Sequence, residues 1–326
     1  MDFSNKRILV TGGAGYIGSH VCLALKDTGA DVAIIDNLST GFNENIHYGT
    51  LHATDLNNKS AVNDVIATFK PDAVIHFAGS IVVPESVKNP LKYYSNNTKN
   101  ALNLIKSCLQ NNVHHVLFSS TAAVYGTPDN GICQETSPLL PINPYGRSKL
   151  MTEMMLDDIS KATNLNYVAL RYFNVAGAHS SFKLGQRMPD ATHLMKIIAQ
   201  VITKKRDKMA IFGTDYNTSD GTCIRDYIHV CDLAQAHLLA LDYLFDGGQS
   251  NVFNCGYSKG FSVKEVIDKA QTLFGSFTVD IAPKRDGDPA ELIADATKIK
   301  QVLKWEPKHN NLEKIIQSSV DFERLI

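Results

Sequence analysis

A tyrosine and a lysine stand four residues apart in the segment Tyr145-Gly-Arg-Ser-Lys149. On an α-helix this spacing places both side chains on one face. A phenol with an ordinary pKa of about 10 is a poor base at neutral pH, but a neighbouring ammonium favours the phenolate and lowers that pKa. Such a tyrosine can exchange a proton with a substrate hydroxyl. Exposed helices often show the same spacing, so the pair predicts catalysis only together with other features of a site.

A glycine-rich turn near the start of the chain, Gly12-Gly-Ala-Gly-Tyr-Ile-Gly18, joins a predicted strand to a predicted helix. Glycines let the backbone turn sharply and approach a pyrophosphate, and the helix N-terminus offers free N–H groups to phosphate. A glycine pattern alone is a weak signal. Because this one has the strand–turn–helix context that phosphate binding requires, it predicts a dinucleotide site.

Asp36 ends the second predicted strand. A carboxylate there accepts hydrogen bonds from the ribose hydroxyls of a dinucleotide and repels a 2′-phosphate, which favours NAD over NADP. An aspartate at a strand end can also cap the turn at Asn37, and the two roles are compatible. Other predicted strand ends carry Asp55-Leu56, Phe77-Ala78-Gly79 and Ser119-Ser120-Thr121. Since ligands bind at the carboxyl ends of parallel strands, we expect these residues to line the same pocket.

Alternating strands and helices must position these residues. The apolar periodicity predicts strands at 7–11, 31–36, 73–78, 113–119 and 167–173, and helices at 16–28, 60–69, 96–111 and 145–161. This rhythm predicts an α/β fold with a doubly wound, Rossmann-type parallel sheet. After about residue 178 the segments become shorter, so we expect a smaller, mixed α/β C-terminal part that binds substrate. The predicted division is 1–178 and 179–326, with about 226–245 returning to the first domain.

Composition narrows the functional classes. A chain of 326 residues with 44% hydrophobic residues can bury a full core, and its net charge of -1 lacks the broad basic surface of a nucleic-acid binder. No cysteine pair has C-x-x-C spacing, so neither a metal site nor a redox pair is predicted, and reduced thiols fit the cytoplasm. Glycines interrupt the apolar stretch after Lys6 and Arg7, which argues against a signal peptide. No apolar run is long enough for a membrane span.

The chain resembles the extended short-chain dehydrogenase/reductase superfamily and, within it, the UDP-glucose 4-epimerases. The resemblance runs from Arg7 to about Trp305. Its most specific segments are TGGAGYIGSH (11–20), DNLSTG (36–41), HFAG (76–79), PLKYYSNN (90–97), SSTAAVYG (119–126), PYGRSKL (144–150), LRYFNVAGA (170–178), RDYIHVCDLA (225–234) and AP-x-R-x-GD (282–288). It implies an isomerase of galactose metabolism that holds NAD, interconverts UDP-glucose and UDP-galactose in the cytoplasm, and forms a homodimer through the helix from Asn96 and the helix carrying Tyr145.

The resemblance also implies roles for individual residues. Thr121 matches the catalytic hydroxyl residue, Tyr145 the base, and Lys149 the residue that orients the cofactor ribose and tunes Tyr145. The implied cofactor contacts, together with Tyr145 and Lys149, are Gly12, Gly13, Gly15, Tyr16, Ile17, Gly18, Asp36, Asn37, Ser39, Thr40, Gly41, Asp55, Leu56, Phe77, Ala78, Gly79, Asn96, Ser119 and Phe173. The implied UDP-sugar contacts, besides Thr121 and Tyr145, are Asn174, His193, Leu194, Ala210, Ile211, Phe212, Arg225, Arg285, Asp288 and Leu292.

Three departures from the family pattern leave substrate contacts open. Ser80-Ile81 stands where some members have a lysine, and His193 stands where asparagine is common. Leu292 matches a gate at the sugar pocket, where a bulky Tyr excludes N-acetylated sugars and a Cys or Ser admits them. Leu is intermediate, so acceptance of UDP-N-acetylglucosamine as an alternative or second substrate stays open.

Other functions are less well matched. In a 4-epimerase, Tyr145 removes the 4′-hydroxyl proton, a 4-keto sugar forms and turns, and the hydride returns, so NAD stays bound. A nucleotide-sugar 4,6-dehydratase would carry Asp-Glu after the catalytic Thr, where this chain has Ala122-Ala123. A decarboxylase needs a sugar-carboxylate pocket that the sequence does not identify. A non-catalytic NAD-sensing regulator usually lacks the Tyr or Lys that this chain keeps.

Overall fold

The computed structural model describes residues 1–181, 183–190, 192–285 and 288–326. Its strands, numbered in chain order, are β1 Arg7–Thr11, β2 Asp31–Asp36, β3 Thr50–Ala53, β4 Ala73–His76, β5 His115–Thr121, β6 Ile132–Cys133, β7 Asn166–Tyr172, β8 Asn174–Ala176, β9 Lys208–Phe212, β10 Ile224–His229, β11 Asn251–Cys255, β12 Gly260–Ser262, β13 Thr278–Ala282 and β14 Glu291–Ala294. The α-helices are α1 Tyr16–Lys26, α2 Lys59–Phe69, α3 Val83–Lys88, α4 Pro90–Tyr93, α5 Asn100–Gln110, α6 Pro144–Ala162, α7 Leu194–Ile202, α8 Val230–Phe245, α9 Val263–Phe274, α10 Thr297–Val302 and α11 Leu312–Leu325.

The larger sheet has seven parallel strands in the order β11-β7-β5-β4-β1-β2-β3. Successive residues of a strand point to opposite faces, so a parallel sheet covered on both faces needs continuous apolar runs. In β1, Ile8 and Val10 join a core with α1 and α8, whereas Leu9 joins a core with α2, α5 and α6. The predicted doubly wound parallel sheet is confirmed.

The strand order reverses beside β1, which pairs with β2 on one side and β4 on the other. In open α/β sheets such a reversal leaves a crevice at the carboxyl ends of the strands, because the connecting helices leave on opposite faces. The residues that follow β1, β4 and β5 therefore meet at one edge of the sheet.

Smaller sheets follow in the C-terminal part, as the sequence predicts. One has the order β12-β10-β14-β6 with β8 beside β10, and the other joins β9 to β13. β10 runs antiparallel to β12 and parallel to β14, so this sheet is mixed. The chain crosses between the parts more than once, because β6 belongs to the smaller sheet and β11 to the larger. The division at residue 178 therefore remains a proposal.

Several boundaries differ from the sequence-based prediction. β3 was not predicted, because Thr50–Ala53 is a half-exposed edge strand with no apolar alternation. The predicted strand 73–78 ends at His76, and the predicted strand 113–119 is shifted to 115–121. The predicted helix 96–111 starts inside a π-helical turn, Tyr94–Lys99, that leads into α5. None of the described helices combines the length and apolar character needed to cross a membrane.

Candidate active site

A cavity of about 1320 Å³ lies at the carboxyl edge of the larger sheet. It extends from the glycine turn after β1 to the segment around Leu292 in the C-terminal part. It is lined by most of the predicted site residues, namely Gly12, Gly15, Tyr16, Ile17, Gly18, Asp36, Asn37, Ser39, Thr40, Gly41, Asp55, Leu56, Phe77, Ala78, Gly79, Asn96, Ser119, Thr121, Tyr145, Lys149, Phe173, Asn174, His193, Arg285, Asp288 and Leu292. Topology thus brings together side chains that are far apart in the sequence.

The glycine turn has the shape that a pyrophosphate requires. Gly12 has a φ of +75°, and a Cβ there would lie 2.7 Å from the backbone nitrogen of Ala78. A side chain would therefore both strain the turn and clash with the loop after β4. Gly15 caps α1 without a side-chain hydrogen bond, which leaves first-turn N–H groups available to an anion. Gly13 does not line the cavity, since it faces the side chain of Ile34 in the sheet.

Asp36 lies in the cavity wall at the end of β2. One carboxylate oxygen accepts a hydrogen bond from the Ala14 backbone N–H at 3.0 Å, and the other accepts one from the Leu38 N–H at 2.8 Å. The aspartate therefore caps the turn as the sequence allowed and also faces the region where a ribose would lie. These residues fit a dinucleotide: amides and glycines lie at the pyrophosphate position, and a carboxylate lies one strand away.

Tyr145 and Lys149 lie on helix α6 and also line the cavity. Asn143 caps the helix by accepting a hydrogen bond from the Gly146 N–H at 2.9 Å. Tyr145 therefore lies in the first turn, where the helix dipole favours negative charge. The Lys149 ammonium donates to the Ser119 carbonyl at 2.9 Å and lies 5.0 Å from the centre of the Phe118 ring.

Burial determines the resting protonation of this pair. Burial raises the pKa of Tyr145, and a hydrogen bond with Thr121 offsets part of the rise. In the protein without its cofactor, the pKa of Tyr145 is therefore raised and not lowered as the spacing predicts, because desolvation is the largest effect. Burial lowers the pKa of Lys149 to about 8, while the charge of Glu153 acts in the opposite direction. A positively charged ring bound above Tyr145 would favour the phenolate.

The π-helical turn Tyr94–Lys99 places Asn96 in the cavity wall and buries Asn97 against the loop after β4. Asn96 donates to the Ser80 hydroxyl at 2.9 Å. Asn97 accepts from the Ser80 N–H at 2.7 Å and donates to the Ser148 hydroxyl at 2.9 Å. A Cβ on Gly79 would lie 3.0 Å from the Asn97 side-chain oxygen. Sequence reasoning missed Asn97 and Ser148, because a regular α-helix would not direct two adjacent residues to one loop.

The predicted substrate residues fall into two groups. Besides Thr121 and Tyr145, five of them line the cavity, namely Asn174, His193, Arg285, Asp288 and Leu292, whereas the remaining five, Leu194, Ala210, Ile211, Phe212 and Arg225, do not. Arg225 lies behind Asp288 in a 3.8 Å ion pair, and Phe212 lies 3.7 Å from the Arg285 guanidinium. Arg225 and Phe212 therefore contact residues that line the cavity without lining it themselves. Leu194 is the first residue of α7 and packs against the core. In the AP-x-R-x-GD segment, Asp286 and Gly287 lie outside the described residues.

His193 is half-buried, and its ring shares a 2.8 Å hydrogen bond with Gln186. Burial lowers the pKa of His193, so the ring is neutral at physiological pH. Across the described residues, no cluster of His, Cys, Asp and Glu has the arrangement of a metal site. Of the tyrosines that line the cavity, Tyr145 lies on the same helical face as a lysine, Lys149.

Comparisons with known proteins agree with this geometry. Residues 8–256 match the NAD dependent epimerase/dehydratase family. A UDP-glucose 4-epimerase from Azospirillum brasilense is 51% identical over 98% of this chain and 93% of its own length. The solved UDP-glucose 4-epimerase from Brucella ovis in complex with NAD has a TM-score of 0.94 at 39% identity, with 98% of each chain covered. The solved UDP-Glc/GlcNAc 4-epimerase from Campylobacter jejuni has a TM-score of 0.86 at 50% identity, covering 98% of this chain and 100% of its own.

Proposed function

The chain belongs to the NAD dependent epimerase/dehydratase family, and we infer from this membership that it is an NAD-dependent UDP-glucose 4-epimerase. One observation carries the inference beyond family resemblance. Thr121, Tyr145 and Lys149 converge on the same cavity as the glycine turn and Asp36. A proton-exchanging tyrosine next to a dinucleotide site is the arrangement that reversible oxidation of a hydroxyl-bearing carbon requires.

The residues divide the chemistry between them. NAD, when bound, accepts the hydride from C4 of the sugar and returns it. Tyr145 takes the proton of the 4′-hydroxyl and gives it back, and Thr121 hydrogen-bonds that hydroxyl. The positive charge of Lys149, one turn after Tyr145 on α6, stabilises a phenolate at Tyr145. Because the 4-keto sugar must turn over before the hydride returns, the nucleotide must be held firmly and the sugar loosely.

Two alanines argue against the related elimination reaction. Ala122 and Ala123 follow Thr121 and line the cavity. A 4,6-dehydratase needs an acid and a base at this point to remove water, and neither alanine can transfer a proton. The site therefore supports epimerisation over dehydration.

The assay that tests this function needs no added reductant. Purified protein is incubated with UDP-galactose, and the products are separated. UDP-glucose should accumulate to equilibrium, and denatured protein should release NAD at about one per chain, because the cycle retains its cofactor. Asp36→Ala should weaken NAD binding. No interconversion, or release of NADP in place of NAD, would contradict the proposal.

We also propose a weaker activity on UDP-N-acetylgalactosamine. Leu292 lines the cavity and packs with Phe173 and Ala122. Its side chain is smaller than a tyrosine, so a ring at this position would fill space that only an N-acetyl group uses. Leu292→Tyr should abolish turnover of the N-acetylated sugar and spare that of UDP-galactose, and Leu292→Ser should raise the former. Equal ratios of kcat/KM in all three proteins would show that residue 292 is not the gate.

We propose that two copies of the chain associate through the helix from Asn96, which continues as α5, and through α6. The outward face of α6 carries Met151 and Met154, and Val87 and Leu91 are exposed on the adjoining helices α3 and α4. Grouped exposed apolar side chains are typical of protein interfaces. Met154→Lys should therefore give a monomer by light scattering, while the matched change at the exposed Ile281 on β13 should not. A wild-type protein that is monomeric would overturn this proposal.

We further propose a cytoplasmic location, since all six cysteines are free thiols.

A further inference from the structure

Two charged side chains are buried behind the cavity and have no part in the proposed proton transfer. Glu153 on α6 and Arg171 on β7 have side chains 5% and 4% exposed. They form a bidentate pair, with Arg171 Nε 3.0 Å from Glu153 Oε1 and Nη2 2.6 Å from Oε2. Taking both charges out of water is costly, and a buried pair does not by itself stabilise a fold. The hydrogen bonds of the Glu153–Arg171 pair connect it to residues of the active site.

The glutamate connects to two catalytic residues. Ser120, which is fully buried and precedes Thr121, donates a hydrogen bond to Glu153 Oε1. Glu153 also follows Lys149 by four residues on α6, so both side chains lie on one helical face. Its charge raises the pKa of the Lys149 ammonium, and its hydrogen bond with Ser120 holds the strand end that carries Thr121.

The arginine connects to the sugar side of the cavity. Arg171 Nη1 donates to the Tyr125 hydroxyl at 2.9 Å, which donates to the Asn254 side-chain oxygen at 2.6 Å. Asn254 in turn donates to the Cys133 carbonyl of β6 at 2.8 Å. β6 pairs with β14, which carries Leu292. One buried network thus reaches both sides of the cavity.

We propose that Glu153 is a positioning residue of the reaction, which holds Thr121 through Ser120 and stabilises the Lys149 ammonium, with Arg171 balancing its charge. This inference rests on the proposed epimerase function. It assigns the network a role in the chemistry: the carboxylate keeps the lysine charged in a site whose burial disfavours that charge.

Few other groups can supply charge at Lys149. Tyr145 lies one turn away on α6, and His76 on β4 is close enough for the ammonium to lower its pKa. The Tyr172 hydroxyl on β7 hydrogen-bonds to the side chain of Ser119, whose carbonyl accepts from Lys149. Burial and the nearby Lys149 lower the pKa of His76 to about 3, and burial raises the pKa of Tyr172 well above its usual range, so both are neutral at physiological pH. Of the described groups around the ammonium, Glu153 and Arg171 therefore carry the fixed charges.

Opposite charge changes test the proposal. The rate of UDP-galactose conversion is measured from pH 6 to 10 for the holoenzyme of each variant. Glu153→Gln removes the negative charge, so the loss of kcat at alkaline pH should begin about one pH unit lower. Arg171→Met removes the positive charge, so the same loss should begin at higher pH. The double variant should lie between the two single variants, because it lacks both the carboxylate that favours the ammonium and the guanidinium that opposes it.

A substitution that keeps both charges separates the effect of Glu153 on the position of Thr121 from its effect on the charge of Lys149. Ser120→Ala keeps both charges and should lower kcat by about tenfold, leave KM within about threefold, and leave the alkaline limb in place. Should Glu153→Gln fail to fold, Glu153→Asp withdraws the carboxylate and should move the limb in the same direction by less. Folded charge variants whose limbs do not move, or move in the same direction, would overturn the inference. A wild-type protein without activity would instead overturn the proposed function.

Discussion

At the scale of single residues, Tyr145 has to be a charged phenolate when it meets the substrate hydroxyl, and it becomes neutral when it takes the proton. Burial raises its pKa in the protein alone, and the α6 N-terminus and Lys149 offer compensating positive potential. The base is therefore activated mainly when a second positive charge arrives with the cofactor. Cofactor binding thereby activates Tyr145 as the base.

Tyr145→Phe should lower kcat by about a thousandfold or more while changing UDP-sugar affinity little, because the phenolic oxygen matters in the transition state far more than in the ground state. Thr121→Val should lower kcat less, since the base remains. Tyr227→Phe is the matched control, because Tyr227 is also buried but lies in the core away from the cavity. Single-turnover rates and isothermal titration measure the two effects. A Tyr145→Phe enzyme that kept most of its turnover would rule out this residue as the base.

Sequence reasoning reached Tyr145 and Lys149 because their chemistry depends on local spacing along one helix. It did not reach Glu153 and Arg171, which meet across a helix and a strand 18 positions apart in the chain. Nothing in the local sequence states which buried charges will pair. Such contacts follow from packing and had to come from the structure.

At the scale of elements, α6 determines the geometry of the site through its first turn. Asn143→Ala should cost about 1 kcal/mol of stability, as the loss of a helix cap does, and should also lower kcat because Tyr145 lies in the turn that frays. Asn311→Ala removes the equivalent cap from α11, where Asn311 accepts from the Lys314 N–H at 3.0 Å. It should cost similar stability and leave kcat unchanged. Denaturant unfolding and steady-state rates measure both, and equal kcat losses would contradict the argument.

Elements with strong apolar periodicity were predictable, and those set by tertiary pairing were not. The buried strands β1 and β2 match their predicted bounds, because each is an apolar run. β3 forms only because β2 offers an unpaired edge, and its own residues give no signal. The π-helical turn likewise depends on Asn97 reaching Ser80. The structure of both segments thus depends on contacts with residues that are distant in the sequence.

At the scale of the whole molecule, four buried histidines make stability depend on pH. Burial lowers the pKa of His20 and His237 to about 4 and that of His76 and His229 to about 3. In the unfolded chain these rings take up protons below pH of about 6.5, while the folded protein resists protonation. Their contribution is therefore fully present above that pH and is lost progressively as the pH falls towards 4.

The midpoint of thermal unfolding should fall by roughly 5–10 °C between pH 7 and pH 5 at constant ionic strength and saturating NAD. His237→Gln should reduce this pH dependence, since one buried ring no longer titrates in the unfolded chain. His114→Gln, at an exposed position, should leave the dependence unchanged. Calorimetric scans of the three proteins across this range measure the slopes. Identical slopes for wild type and His237→Gln would show that this ring does not contribute.

The position of β11 in the larger sheet has a consequence for protein synthesis. β7 pairs with β11 along five residues, from Asn251 to Cys255, although the two strands are separated by most of the C-terminal part. When only the first 178 residues have left the ribosome, β7 therefore has one edge that is not yet paired. Folding of the nascent nucleotide-binding sheet should complete only after Cys255 has left the exit tunnel. Stalled chains of increasing length should thus gain protease resistance late, in one step, and chaperone capture should be greatest just before it.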